Sequence, residues 1–217
     1  MSEEINLEQT LLETIEKADI RDEIFDLADK GFNQFIKSKS ILEEIPFVRS
    51  LFAIGRSTMA IRDFLLIKKL IHFLKAINTI SDDDKTEIWW DLEYDYDKRK
   101  VIGEHLLTLL DRVESTEKAD YLGRLMKAYI LKKIKYSELL RLTLIVTNLF
   151  TEDLKALPIF HKEQRSIFYS RSLHTMGLLV KTATCDNRGN DVEDDGYEIS
   201  LLGKKLVDAL ELTYPSL

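Results

Sequence analysis

The sequence predicts a mostly helical protein, with a multi-helix bundle over residues 1–157 followed by a small α+β module over residues 158–217. Three observations carry that reading. The chain holds 8 Gly and 3 Pro in 217 residues, where average usage would give about 26 of the two together. No proline falls between Pro46 and Pro158, so helices there need only capped turns between them. Beyond Pro158 the grammar changes: four of the 8 glycines lie between Gly177 and Gly203, and residues 180–184 are rich in β-branched side chains.

The first third reads as two helices. Leu11, Ile15 and Ala18, then Ile24, Phe25 and Ala28, recur at helical spacing, and Gly31 is placed to cap the first helix before a second that carries Phe32, Phe35 and Ile36. Pro46 breaks the chain. Over residues 58–78, 100° per residue gathers Ala60, Phe64, Ile67, Leu70, Ile71, Leu74 and Ile77 on one arc and Arg62, Lys68, Lys69, His72 and Lys75 on the other, a basic amphipathic helix. Ser81 followed by Asp82, Asp83 and Asp84 is a helix start, a hydroxyl cap with carboxylates at the positive end of the dipole. The same residues do not make a calcium loop, because the sixth position is Glu87 where glycine is needed.

Asp91, Glu93, Asp95 and Asp97 alternate with Leu92, Tyr94 and Tyr96, an acidic aromatic patch on either a short extended piece or a helix end, preceded by Trp89 and Trp90 as core fillers. Ile102, Leu106, Leu109, Leu110 and Val113 form the next stripe. Leu122, Leu125, Met126 and Tyr129 form another after a capping turn at Ser115-Thr116-Glu117. Residues 139–150 are apolar on nearly every side, which predicts a central buried helix, and Glu152 and Asp153 begin a short segment that Pro158 ends.

In the last module, residues 164–176 read as a helix, 178–184 as a strand, 186–196 as a polar turn, 197–199 as a returning strand and 200–212 as a helix. The strand Tyr197-Glu198-Ile199-Ser200 running into Leu201-Leu202-Gly203-Lys204-Lys205-Leu206 resembles the end of winged-helix domains. In that arrangement Arg165, Arg171 and His174 occupy the recognition-helix position. The turn departs from DNA-binding wings, since Asp186, Asp191, Glu193, Asp194 and Asp195 face a single Arg188, and carboxylates repel phosphate.

Charge is laid out in blocks: −7 over residues 1–45, +5 over 46–80, −7 over 81–120, +4 over 121–160 and −2 over 161–217, for a net −7. A chain with that balance lacks the concentrated positive field of a general nucleic-acid binder. Acidic helices packing on basic ones is the plainer reading of the blocks. The lone Cys185 excludes an internal disulfide, and the acidic Met1-Ser2-Glu3-Glu4 start lacks the basic and apolar regions of a secretory signal. No stretch is long and uncharged enough to span a bilayer, and a cytoplasmic location is expected. Phosphate loops, zinc-protease helices, nucleophile elbows and Cys-x-x-Cys pairs are missing from the sequence, so no catalytic residue, metal, cofactor or small-molecule substrate is expected.

Three stretches resemble one family. They are Ile45-Pro46-Phe47 through Ile61-Arg62-Asp63-Phe64-Leu65-Leu66-Ile67-Lys68-Lys69-Leu70 with Phe73-Leu74; residues 119–127 with 136–142; and the winged-helix-like end. Together they span most of residues 45–212 and are similar to bacterial and prophage-borne helical proteins related to the abortive-infection alpha family. The resemblance implies a bacterial protein of phage defence or phage carriage and transfers no catalytic residue. The leading expectation is thus a non-enzymatic interaction protein with a protein partner. The candidate contacts are Arg62, Lys68, Lys69, His72, Lys75, Arg165, Arg171 and His174. The alternatives are a DNA-binding regulator using the last module and a membrane-acting effector using residues 46–80.

Overall fold

A computed structural model describes residues 6–17, 20–54, 61–86, 95–161, 170–182 and 196–213. The chain falls into two compact units, Met1–Lys132 and Lys133–Leu217. The described residues are mostly helical with one small antiparallel sheet. Residues 91–94 of the acidic aromatic patch, with Trp89 and Trp90 before it, lie outside the described residues, as do Arg165, Cys185 and the turn after it, while Asp95 and Tyr96 open a helix.

In the N-terminal unit α1 (Leu7–Glu16) starts at Asn6, whose side chain accepts the Gln9 N–H at 2.9 Å, and it buries Leu11, Leu12, Thr14 and Ile15. The expected pair of helices is four: α1, α2 (Asp22–Ala28), α3 (Phe32–Lys37) and α4 (Lys39–Leu42). The interruption before α2 has a source far away in sequence. The Asn78 side chain accepts the Ile20 N–H at 2.9 Å and donates to the Ile20 carbonyl at 3.2 Å, giving that peptide the partners a helix would have supplied. Asn78→Ala is expected to cost about 1–3 kcal/mol by orphaning both groups, read as a lower urea midpoint. Gly31, expected as a C-terminal cap, instead opens α3: its φ is −74° and its carbonyl accepts from Gln34 and Phe35.

Pro46 is the first residue of α5 (Pro46–Ile54), where its missing N–H is harmless. The next N–H, that of Phe47, donates to Thr14 Oγ1 at 3.0 Å and fastens α5 to α1. α6 (Ile61–Ile77) buries Phe64, Ile67, Leu70, Ile71, Phe73, Leu74 and Ile77, and Phe32 and Phe35 meet the Phe64 ring edge-on at 5.2 and 4.9 Å. Residues 82–86 are helical behind the expected cap, with Ser81 Oγ accepting the Asp84 N–H. α7 (Tyr96–Arg112) and α8 (Thr116–Ile130) are capped by Asp95 and Ser115, which accept the N–H of Lys98 and Lys118. α8 lies hard against α6, because Gly123 brings the two backbones together at the Phe73 carbonyl.

In the C-terminal unit α9 (Tyr136–Asn148) begins with the Lys135 N–H donating to Glu138 Oε2 at 2.8 Å. α9 is one-sided and not buried all round, a correction to the sequence reading. Leu139, Leu142, Thr143, Ile145 and Val146 face inward, while Arg141 and Leu144 are exposed. α10 (Thr151–Ala156) and a 3-10 turn (Leu157–His161) follow.

α11 (Ser170–Thr175) then leads into β1 (Leu179–Thr182), β2 (Gly196–Ile199) and α12 (Leu201–Leu210), the order the sequence predicts. Gly177, at φ 76°, closes α11: its N–H reaches the His174 carbonyl and that of Leu178 reaches the Leu173 carbonyl. The strands pair with Leu179 opposite Ile199, both buried. Ser200 caps α12 by accepting the Gly203 N–H at 3.0 Å while its Oγ donates to the Gly177 carbonyl at 2.7 Å.

α12 ends as α11 does, but with Glu211 in the left-handed position at φ 52°. The Leu212 N–H bonds to the Val207 carbonyl and the Glu211 N–H to that of Asp208. A side chain there costs about 1–2 kcal/mol, and glycine gives back about 0.5–1 kcal/mol of that in unfolded-chain entropy.

Candidate interaction surface

The sequence-selected residues of α6 separate into two groups. Arg62 and Lys69 are drawn to the end of α7. The Arg62 guanidinium donates to Asp111 Oδ2 at 2.8 Å, and Lys69 Nζ donates to the carbonyls of Asp111 at 2.9 Å and Val113 at 3.1 Å. An ammonium on the last carbonyls of a helix is well placed against its dipole. Burial pushes the Lys69 amine down, against the pull of Asp111 and with the push of Arg62. These two cations therefore hold α6 to α7, and Arg62 reaches Asp111 across helices although Asp63 adjoins it in sequence.

The second group stays on the outside. Ile61, Leu65, Lys68, His72 and Lys75 are spaced four, three, four and three residues apart, which at 100° per residue aligns them in one ridge along α6. Ile61 is 68% and Leu65 50% exposed. Lys68 Nζ sits 5.6 Å from the centre of the Phe64 ring, and Lys75 is exposed. His72 is half-buried, with Nε2 3.8 Å from Asp29 Oδ1 of the α2 cap. The sequence reading placed the cations of this face but not its two aliphatic members, although the same four-three spacing carries them.

Burial pushes the His72 imidazole below its ordinary 6.5; Asp29 and Asp120 oppose that shift, and Lys68 and Lys75 add to it. Burial alone lowers His105. Each ring thus binds a proton more weakly folded than unfolded. The stability this gives is whole above pH 6.5 and is lost as pH falls through 6.5 toward the folded values. Urea midpoints are expected to drop between pH 7.5 and 5.5, and His105→Gln to flatten that slope. A further loss follows below the ordinary carboxylate value of 4.5, where two carboxyls held down by hydrogen bonds take up protons. These are Glu114, bonded by Lys118, and Glu138, bonded by the Lys135 N–H and by Lys205.

In the C-terminal unit Arg171 is exposed on α11, and His174 stands edge-on to Tyr197 at 5.4 Å, which ties its ring to the hairpin. Two features of this unit were not singled out in the sequence. Asp153 is buried and accepts from Ser172 Oγ at 2.6 Å, joining α10 to α11, and Lys205 of α12 pairs with Glu138 at the start of α9. Neither sequence separation nor residue type marks such pairs in advance.

A cavity of about 150 Å³ opens in the N-terminal unit between Thr14, Lys17, Ile20, Arg21, Ile24, Glu44, Ile45 and Pro46. Its one carboxylate, Glu44, is held by the Arg21 guanidinium. Among the described residues no group of three or more His, Cys, Asp or Glu side chains is placed to hold a metal ion, and no helix is long and apolar enough to cross a membrane. The chain matches no protein-family model, no curated protein and no solved structure.

Proposed function

We propose that the chain is a non-enzymatic interaction protein acting through protein–protein contacts, with the outer ridge of α6 as its docking face. The observation that carries this reading is the exposure of Ile61 and Leu65 one turn apart on a helix whose opposite side is fully committed to the core. Aliphatic side chains set among cations on a rigid helix are the material of a protein interface. The resemblance of residues 45–212 to proteins related to the abortive-infection alpha family supplies the setting: a bacterial cytoplasm and a role in phage defence or carriage.

The test is co-purification from a bacterial host, comparing the wild-type chain with Ile61→Asp/Leu65→Asp. A stoichiometric partner is expected with the wild type and at least tenfold less of it with the variant, at unchanged helicity. Equal recovery, or a wild-type chain that elutes alone, overturns the reading.

A second reading rests on the C-terminal unit. The order α11, β1, β2, α12 supports a winged-helix-like module, and the exposed Arg171 supports nucleic-acid contact by α11. The acidic composition of the turn after Cys185 weighs against it. Retention on DNA at about 50 mM salt that falls with added salt and with Arg171→Ala is its expected mark.

A further inference from the structure

The ridge on α6 is chemically divided along its length. Its first turn presents Ile61 and Leu65, and its next three turns present Lys68, His72 and Lys75. At a rise of 1.5 Å per residue the five positions cover about 21 Å, the length of a four-turn helical contact. Their four-three spacing is that of a helix seam. Among the described residues neither Lys68 nor Lys75 makes an ion pair, whereas Arg62 and Lys69 are occupied at the end of α7. We propose that this ridge receives an acidic amphipathic helix of a partner protein, with aliphatic side chains over Ile61 and Leu65 and carboxylates over Lys68 and Lys75. The inference rests on the reading of α6 as the docking face and adds the chemistry of what docks.

Charge selects this occupant over the others. A second copy packed ridge on ridge over the whole length of α6 would set Lys68 against Lys68 if the helices run antiparallel, or each lysine against its own copy if parallel. Like charges on a seam disfavour both. A bilayer surface asks for an apolar stripe along the length of a helix. On α6 that stripe, from Phe64 to Ile77, is already inside the protein, and the outer ridge offers one apolar turn. An acidic helix matches both halves at once. Asp29 beside His72 leaves Lys68 and Lys75 as the cations that set the preference.

The experiment measures binding of the full chain to three probes: a synthetic helix with two leucines one turn apart followed by glutamates at the seam positions facing Lys68 and Lys75 and an alanine at the one between; the same peptide with lysines for the glutamates; and vesicles of anionic phospholipid. The acidic peptide is expected to bind at least tenfold more tightly than the basic one. Lys68→Glu/Lys75→Glu is expected to reverse that order, and Leu65→Ala to weaken both peptides at an unchanged unfolding midpoint. The inference is overturned if the acidic peptide does not bind, if the two peptides bind alike, if the double substitution leaves the order intact, or if vesicles bind and compete with the acidic peptide. A partner that still co-purifies through Ile61 and Leu65 in those cases leaves the docking face standing and removes only the acidic helix. Loss of both results removes the whole reading.

Discussion

Gly123→Ala is expected to destabilise the N-terminal unit by about 3 kcal/mol or more, at the upper end of what overpacking costs. A methyl group built on Gly123 would stand 2.2 Å from the Phe73 carbonyl oxygen, 2.9 Å from its carbon and 3.1 Å from Phe73 Cα. Every one of these atoms is backbone in the middle of α6, so no rotamer change relieves the clash and the two helices must part. Parting them loosens two helices on which Leu70, Phe73, Leu74 and Ile77, and Leu122, Leu125 and Met126, are all fully buried. At about 2–4 °C of midpoint per kcal/mol for a chain of this size, the thermal transition should fall by about 10 °C. The control is Gly31→Ala: nothing lies within 4 Å of the added carbon and φ is ordinary, so its effect should stay within about 1 kcal/mol. A Gly123→Ala midpoint matching that control would mean that α6 and α8 do not cross as closely as described.

The C-terminal unit has its own equivalent. A carbon added at Gly203 would lie 2.3 Å from the Leu178 carbonyl oxygen and 2.7 Å from Ile199 Cγ1. Ile199 has a side chain that turns. The Leu178 carbonyl is held in place, since it accepts the Ser200 N–H at 2.9 Å where the hairpin runs into α12. Gly203→Ala is therefore expected to cost about 2–3 kcal/mol, to break the Ser200 connection and to speed amide exchange in β1, β2 and α12. Native-state hydrogen exchange separates the two cases, because each unit reports its own opening. Gly203→Ala should spare Leu122 and Leu125, and Gly123→Ala should spare Leu206. Faster exchange throughout the chain in either variant would contradict independent local effects.

The long stripes were legible in the sequence because periodicity is a property of the chain itself. The inward arc of α6 from Phe64 to Ile77, the stripe of α7 from Ile102 to Val113, and the caps at Ser81 and Ser115 all fell where spacing and side-chain chemistry put them. Illegible were features whose cause lies elsewhere in the fold. The interruption at Ile20 answers to Asn78, 58 residues away. α9 reads as apolar all round, yet only one side of it finds partners, and Leu144 is left outside. Gly123 and Gly203 count in a composition merely as poor helix formers, although what fixes them is a carbonyl on another element. The candidate surface divides in the same way. Sequence placed its cations on one face of α6, but only the fold assigns Arg62 and Lys69 to the end of α7 and leaves Lys68 and Lys75 outside.

The clasp of Asn78 on Ile20 also orders events during synthesis. While the ribosome is still making residues 30–77, the Ile20 N–H and carbonyl have only water and their neighbours to bond, because their side-chain partner has not yet been made. The final layout of that corner waits for the end of α6 to leave the exit tunnel. Truncated nascent chains stopped before Asn78 should carry an N-terminal segment unlike the finished one, and chains released after it should reach the mature arrangement.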